Sequence, residues 1–402
     1  MNTPSELVDL HHTRPTVYLD LWVWIRLAGA AAGKPRDSFD LQLLAAVEEA
    51  STAGVAFPLS QTHHMEVSKI ADPQQRETLA RTMLSVSRFC TLRSRRVLVR
   101  HQFVQAMHEC FGKPTFRPTP PQVLGTGAMW ASRGEEVPLV LRDSKGHRVD
   151  PDVLPDGSTF MRMANQLSEF KLLAGPQDSE VPDLQRYGYK PEELVKAIAG
   201  RVDWEAEYNE LLASGPITRD ELRVRVQARE MSHEYLALIS ELQNEYGFDL
   251  FRAAGLDPDR PGSGRRGIVA FSDRIPTMRI AVDLKVELFR ARRPWTPNAI
   301  HDIDALSEAV PYCHVVVPDG EMADLMSRSK VERRTGTKII HKLRQLPDSL
   351  AQLTDGAKLA GLDPDHGRLA RPGERLCFDE ADLYAVASGR PGPKADRNGG
   401  VK

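Results

Sequence analysis

Apolar and polar positions in the first ninety residues alternate between a strand period and a helix period. Residues 16–19, TVYL, are β-branched and aromatic and predict a short strand. It ends at Asp20, where the apolar run LWVWIRLA opens a helix. Phe39, Leu43, Leu44 and Val47 recur at helical spacing and predict an amphipathic helix over 38–50. Gly54 stops that helix, and VAFPLS predicts a second strand. Ser60 then takes the N-cap position ahead of QTHHMEVSKIA, and residues 81–90 continue in helical pattern. The order β, α, β followed by helices predicts one layer of an α/β unit.

From about residue 92 to 274 the pattern changes to long charged helices, over 191–199, 203–212 and 218–244. The segments PTFRPTPPQ, PDVLPDG and LDPDRPGSGRRG predict the loops between them. No fixed-period repeat is present. The α/β pattern then returns: a helix over 276–290, a second over 299–309 behind Asn298 as N-cap, and the buried-type strand CHVVV, which ends at Pro318 and Asp319. A basic helical stretch follows, and the final GRPGPKADRNGGVK has the composition of a disordered tail. The expected organisation is therefore a discontinuous α/β domain from 14–92 plus 274–350, a helical insertion over 93–273, and a C-terminal extension over 351–402.

Composition narrows the class. With 41% hydrophobic and 27% charged residues the chain reads as globular. A length of 402 residues favours two domains, or one domain with a large insertion. A formal charge of -2 gives no global pull toward nucleic acid, so such a partner needs local basic patches. Cys90, Cys110, Cys313 and Cys377 lack C-x-x-C spacing and predict reduced, buried thiols. MNTPSELVDLHH has neither a basic start nor an apolar core, and no apolar run of about 18 residues occurs, so a cytoplasmic chain without membrane contact is expected.

The candidate chemistry lies in the acids. Open parallel sheets bind ligands beyond the carboxyl ends of their strands, and Asp20 and Asp319 each follow a predicted strand. Mg²⁺ and Mn²⁺ take hard oxygen ligands, mostly carboxylates, water and substrate phosphate. An aspartate after a strand is also a common turn residue or helix cap, so no single position decides. Taken together, VYLDLWVWIRLA, LSQTHHMEVSK and NAIHDIDALSEAVPYCHVVVPDGEM resemble the three acidic blocks of the PIN-like nuclease family.

The resemblance implies a three-layer α/β fold with a central, mainly parallel sheet, interrupted here by the insertion. It also implies a Mg²⁺- or Mn²⁺-dependent nuclease, with RNA favoured over DNA and a toxin or defence setting. The catalytic and metal-ligating acids would be Asp20, Glu66, Asp302 and Asp319. Asp302 and Asp304 stand about 200° apart on a helix. Asp302 shares a stripe with Leu306 and Ala309, whereas Asp304 aligns with polar Ser307 and Glu308, so Asp302 is preferred and Asp304 held in reserve. Glu66 has His63 one turn before it and Ile70 one turn after, at the border of a packed face.

Two departures from the family pattern favour an alternative, a catalytically silent module binding RNA or a protein partner through the insertion. Leu21 and Trp22 follow Asp20 where a polar residue is usual, and Val317 stands where a threonine is usual. Arg328, Lys330, Arg333, Arg334, Lys338, Lys342 and Arg344 could track a phosphate backbone, or form a solvated face. Arg93, Arg95, Arg96 and Arg100 admit the same two readings. His11, His12, His63 and His64 lack zinc spacing, GSGRRG lacks the lysine of a P-loop, and no G-x-S-x-G elbow is present. Trp22 and Trp24 are expected in the core.

Overall fold

The structure, a computed structural model, describes residues 14–212, 215–260, 262–359, 369–370 and 374–389. It is a helix-rich mixed α/β chain in two compact units. One, the Asp20 unit, comprises the described residues of Thr13–Ser94, Leu124–Tyr187 and Leu343–Lys402; the other, the Asp319 unit, those of Arg95–Val123 and Gly188–Lys342. Both units draw on the 93–273 segment. The expected disordered tail, and His11 and His12, lie outside the described residues.

In the Asp20 unit, Val17–Leu19 forms the expected strand, buried at every position, and Asp20 caps the Leu21–Ala31 helix. Trp24, Leu27, Leu43, Phe57 and Leu59 fill the core beneath it. The VAFPLS segment makes isolated parallel bridges, Ala56 to Thr16 and Leu59 to Thr91, rather than a strand. Pro58, which has no N–H to give a ladder, stands between them. The helix expected through residue 90 runs from Pro73 to Ser87. Arg88 and Phe89 then both adopt left-handed backbone, at φ 52 and φ 64, which turns the chain into the strand Cys90–Leu92. That strand pairs antiparallel with Leu124–Thr126.

The Gly157–Ala174 helix packs on Pro73–Ser87, and Arg76 fastens its far end by donating to the Ala174 carbonyl at 2.8 Å and the Pro176 carbonyl at 2.6 Å. Leu346–Leu359 lies on the Ser38–Thr52 helix, and the C-terminal Glu380–Ala387 helix on Gly157–Ala174.

The Asp319 unit is built around the Pro276–Arg290 helix, which keeps its expected bounds. It is buried at every position from Pro276 to Phe289 except Arg279 and is packed by the Arg219–His233, Pro297–Ala309 and Gly320–Arg328 helices. The strand Val315–Val317 is wholly buried and pairs in parallel with Lys338–Ile339, a strand where the basic stretch predicted helix. The insertion helices differ in their breaks. Residues 191–212 form one helix through Gly200, whereas the predicted 218–244 helix is broken between His233 and Leu236. The cap of the Pro297–Ala309 helix is Thr296, whose hydroxyl accepts from Ala299 N at 3.1 Å, not Asn298. Within GSGRRG, Gly264 takes φ 68 and the chain enters a helix at Arg265. A Cβ at Gly264 would stand 2.5 Å from the Leu256 nitrogen, so the turn requires glycine.

No helix among the described residues is long and apolar enough to cross a membrane. Cys90, Cys313 and Cys377 are buried and Cys110 is partly buried, none of them in a disulfide.

Candidate functional site

The carboxyl end of the Val17–Leu19 strand is fixed by one buried imidazole. Ser60 N donates to His63 Nδ1 at 3.0 Å, so the proton of the neutral ring sits on Nε2, which donates to the Leu19 carbonyl at 2.9 Å. Burial, the largest cause, drives the His63 pKa down to about 3, while the Leu19 carbonyl works in the opposite direction. The ring stacks on Tyr18 at 4.9 Å, and the Tyr18 hydroxyl meets Ser60 Oγ at 2.9 Å. Strand end and helix start are thereby tied at the two ends of a single ring. His63 occupies the third helical position after the Ser60 N-cap, where a capping box ordinarily has Glu or Gln. That Ser-x-x-His spacing was the signal by which the residue could have been found.

The tie brings Asp20 and Glu66 together. Asp20 Oδ1 accepts from Leu21 N at 2.5 Å as the cap of the first helix. Glu66 is half-buried on the Gln61–Val67 helix. Burial first, and the nearby Asp20 charge second, raise its pKa to about 7, with Lys69 offsetting the two in part. Two carboxylates in a partly desolvated place, disfavouring each other's charge, match the donor chemistry of a hard divalent cation.

Asp302 and Asp319 belong to the Asp319 unit, on separate elements. Asp302 is half-buried in the second turn of the Pro297–Ala309 helix. Asp319 follows the Val315–Val317 strand by two residues and caps the Gly320–Arg328 helix, accepting from Met322 N at 2.7 Å. Both strand-end aspartates are therefore helix caps by one oxygen. Among the described residues no group of three or more His, Cys, Asp or Glu side chains is arranged to hold a metal ion.

Asp304, the reserve, has a different employment. Arg95 Nη1 lies 2.7 Å from its Oδ1 and Arg201 Nη1 2.5 Å from its Oδ2, and Arg201 continues to Glu234 at 3.1 Å. Burial would raise its pKa, but Arg95 and then Arg201 pull it down to about 2. The polar stripe it shares with Ser307 and Glu308 is a buried face, not a solvated one. Asp304 is neutralised within the fold by Arg95 and Arg201.

The basic residues divide the same way. Arg328, Lys330, Arg333, Lys338 and Lys342 are exposed. Arg334 instead pairs with buried Asp283 at 2.6 Å, and Arg344 lies over the Phe39 ring at 5.0 Å. The earlier cluster is engaged within the fold except at exposed Arg96. Arg93 donates to the Gly134 carbonyl at 2.8 Å and covers Trp130, Arg95 holds Asp304, and Arg96 and Arg100 pair with Glu241 at 3.9 Å and 3.5 Å. Trp24 is fully buried, and Trp22 half-buried. Comparison with protein-family models, curated proteins and solved structures finds no match to this chain.

Proposed function

We propose that this chain is a divalent-metal-dependent nuclease with PIN-like three-layer architecture, acting on phosphodiesters and preferring RNA to DNA. The observation that carries the reading is the pairing of Asp20 and Glu66 at the end of the first strand, held by His63. The resemblance extends the acid set to Asp302 and Asp319. Mg²⁺ or Mn²⁺, when bound, supplies Lewis-acid charge that activates water and offsets charge on the phosphate. The chain's own groups divide the remaining work. Asp20 and Glu66 provide hard oxygen donors. Asp20 and Asp319 each give one carboxylate oxygen to a helix cap. His63 keeps the strand end in place without entering the chemistry. Arg328, Lys330, Arg333, Lys338 and Lys342 offer exposed charge to a phosphate backbone.

The capping bonds of Asp20 and Asp319 favour one competing reading, in which these acids are structural and the chain binds RNA or protein without cleaving. Labelled single-stranded RNA and DNA incubated with Mn²⁺ or with a chelator separate the two. The nuclease reading expects metal-dependent RNA cleavage, reduced on the order of 100-fold or more by Asp20→Asn and by Asp319→Asn. Asparagine retains the helix cap, so the loss reports chemistry rather than folding. Cleavage equal in all three proteins, or absent from the wild type, sinks the nuclease reading.

A further inference from the structure

The Asp319 unit holds a pocket of about 370 Å³ at the start of the Pro276–Arg290 helix that takes no residue of the proposed acid set. Its lining carries Arg117, Arg274, Arg279 and Arg334 against Glu109 and Asp273, with Arg334 paired to Asp283 at 2.6 Å and Arg279 donating to the Asp273 carbonyl at 3.3 Å. Both acids are already matched. Glu109 pairs with Arg274 at 2.9 Å, and Asp273 with Arg223, from outside the lining, at 2.5 Å. Arg117 is exposed at the rim. The N-terminus of a fifteen-residue helix adds its partial positive charge. Gln102 has taken the first available amide of that helix, accepting from Thr277 N at 3.0 Å.

The rest of the lining suits more than a bare anion. Pro118, Pro120 and Ile280 give an apolar flank, and Gln105 a carboxamide. His101 lines the wall, and the Pro118 carbonyl partly opposes the lowering of its pKa by burial. The volume falls within the range of small-molecule sites and exceeds what an inorganic phosphate fills.

We propose that this pocket binds a small phosphate-bearing molecule of nucleotide size, its phosphate on Arg117 and Arg279 beside the helix N-terminus and its ring against the Pro118, Pro120 and Ile280 flank. The test is calorimetric titration of the full chain, in chelator so that no cleavage intervenes. The probes are nucleoside 5′-mono-, di- and triphosphates, the parent nucleosides, inorganic phosphate and a short oligoribonucleotide. Expected is saturable binding of a nucleotide at one site per chain, tighter than its nucleoside and tighter than phosphate. Arg117→Ala and Arg279→Gln should each weaken it about tenfold, with exposed Arg266→Ala unchanged. Arg117 is exposed, so its variant keeps the test readable if Arg279→Gln fails to fold. The proposal is overturned if no nucleotide saturates, if only the oligonucleotide binds, or if the affinity is the same in wild type and Arg117→Ala.

Discussion

Two groups of acids in this molecule are treated in opposite ways. In the Asp319 unit, Glu205 and Glu230 share the Lys285 ammonium, 2.6 Å from each, and all three side chains are buried. Burial alone would push the Lys285 pKa down, yet Glu230 and Glu205 more than reverse it. Asp304 sits likewise between Arg95 and Arg201. In the Asp20 unit, Glu66 faces another acid, and Lys69 offsets their repulsion only in part. Acids that carry their own cations hold a fold together. An acid whose pKa is raised by burial and by a neighbouring charge lowers stability as it ionises.

The largest expected effect comes from breaking the matched group. Lys285→Met leaves two buried carboxylates without their cation and should cost about 3–5 kcal/mol in denaturant unfolding. A loss below about 1 kcal/mol would erase the distinction drawn above. Next is the opposite sign at Glu66. Its folded pKa of about 7 lies above the ordinary glutamate value of 4.5, so its contribution is fully present below pH 4.5 and is lost as pH rises through 7. Without added cation, Glu66→Gln should therefore be more stable than wild type at pH 8 by up to about 3 kcal/mol, with the gap closing by pH 4.5. Equal stability at pH 8 would contradict the raised pKa.

Mn²⁺ should raise the melting temperature of wild type by a few degrees at pH 8 and by less at pH 6, and Asp20→Asn should remove the effect. Glu308 supplies a control within the other unit. Burial drives its pKa to about 8, and one of its oxygens has no hydrogen-bond partner. Glu308→Gln should remove a pH dependence of the same sign that Mn²⁺ leaves untouched, as thermal scans with and without the ion would reveal. The smallest effects separate the arginines. Arg334→Ala should cost about 1–3 kcal/mol through the unpaired Asp283, whereas Arg333→Ala should stay within about 0.5 kcal/mol and weaken RNA binding.

Sequence reading reached the local elements and missed the long-range ones for one reason. Val17–Leu19, Val315–Val317 and the Pro276–Arg290 helix follow from β-branched runs, a proline start and apolar spacing, all written within each segment. Asp304 looked solvated because its partners lie 209 and 103 residues away, at Arg95 and Arg201. Lys338–Ile339 read as part of a basic helix because its parallel pairing with Val315 and Val316 is tertiary and leaves little mark on its own composition. The segment around Pro58 shows the converse, a strand-like composition overridden by a missing donor. In the candidate site, Asp20 and Glu66 stand out as acids with a strand or helix context, but the ring between them carries no such mark, because adjacent His63 and His64 lack zinc spacing.

The most direct measurement is Mn²⁺ binding to the full chain by titration calorimetry at pH 8, for wild type, Asp20→Asn, Glu66→Gln and Asp304→Asn. The account predicts saturable binding by wild type, about tenfold or greater weakening by Asp20→Asn and Glu66→Gln, and wild-type affinity in whatever folded Asp304→Asn can be prepared. No saturable binding by wild type, or binding that survives both Asp20→Asn and Glu66→Gln unchanged, would contradict it.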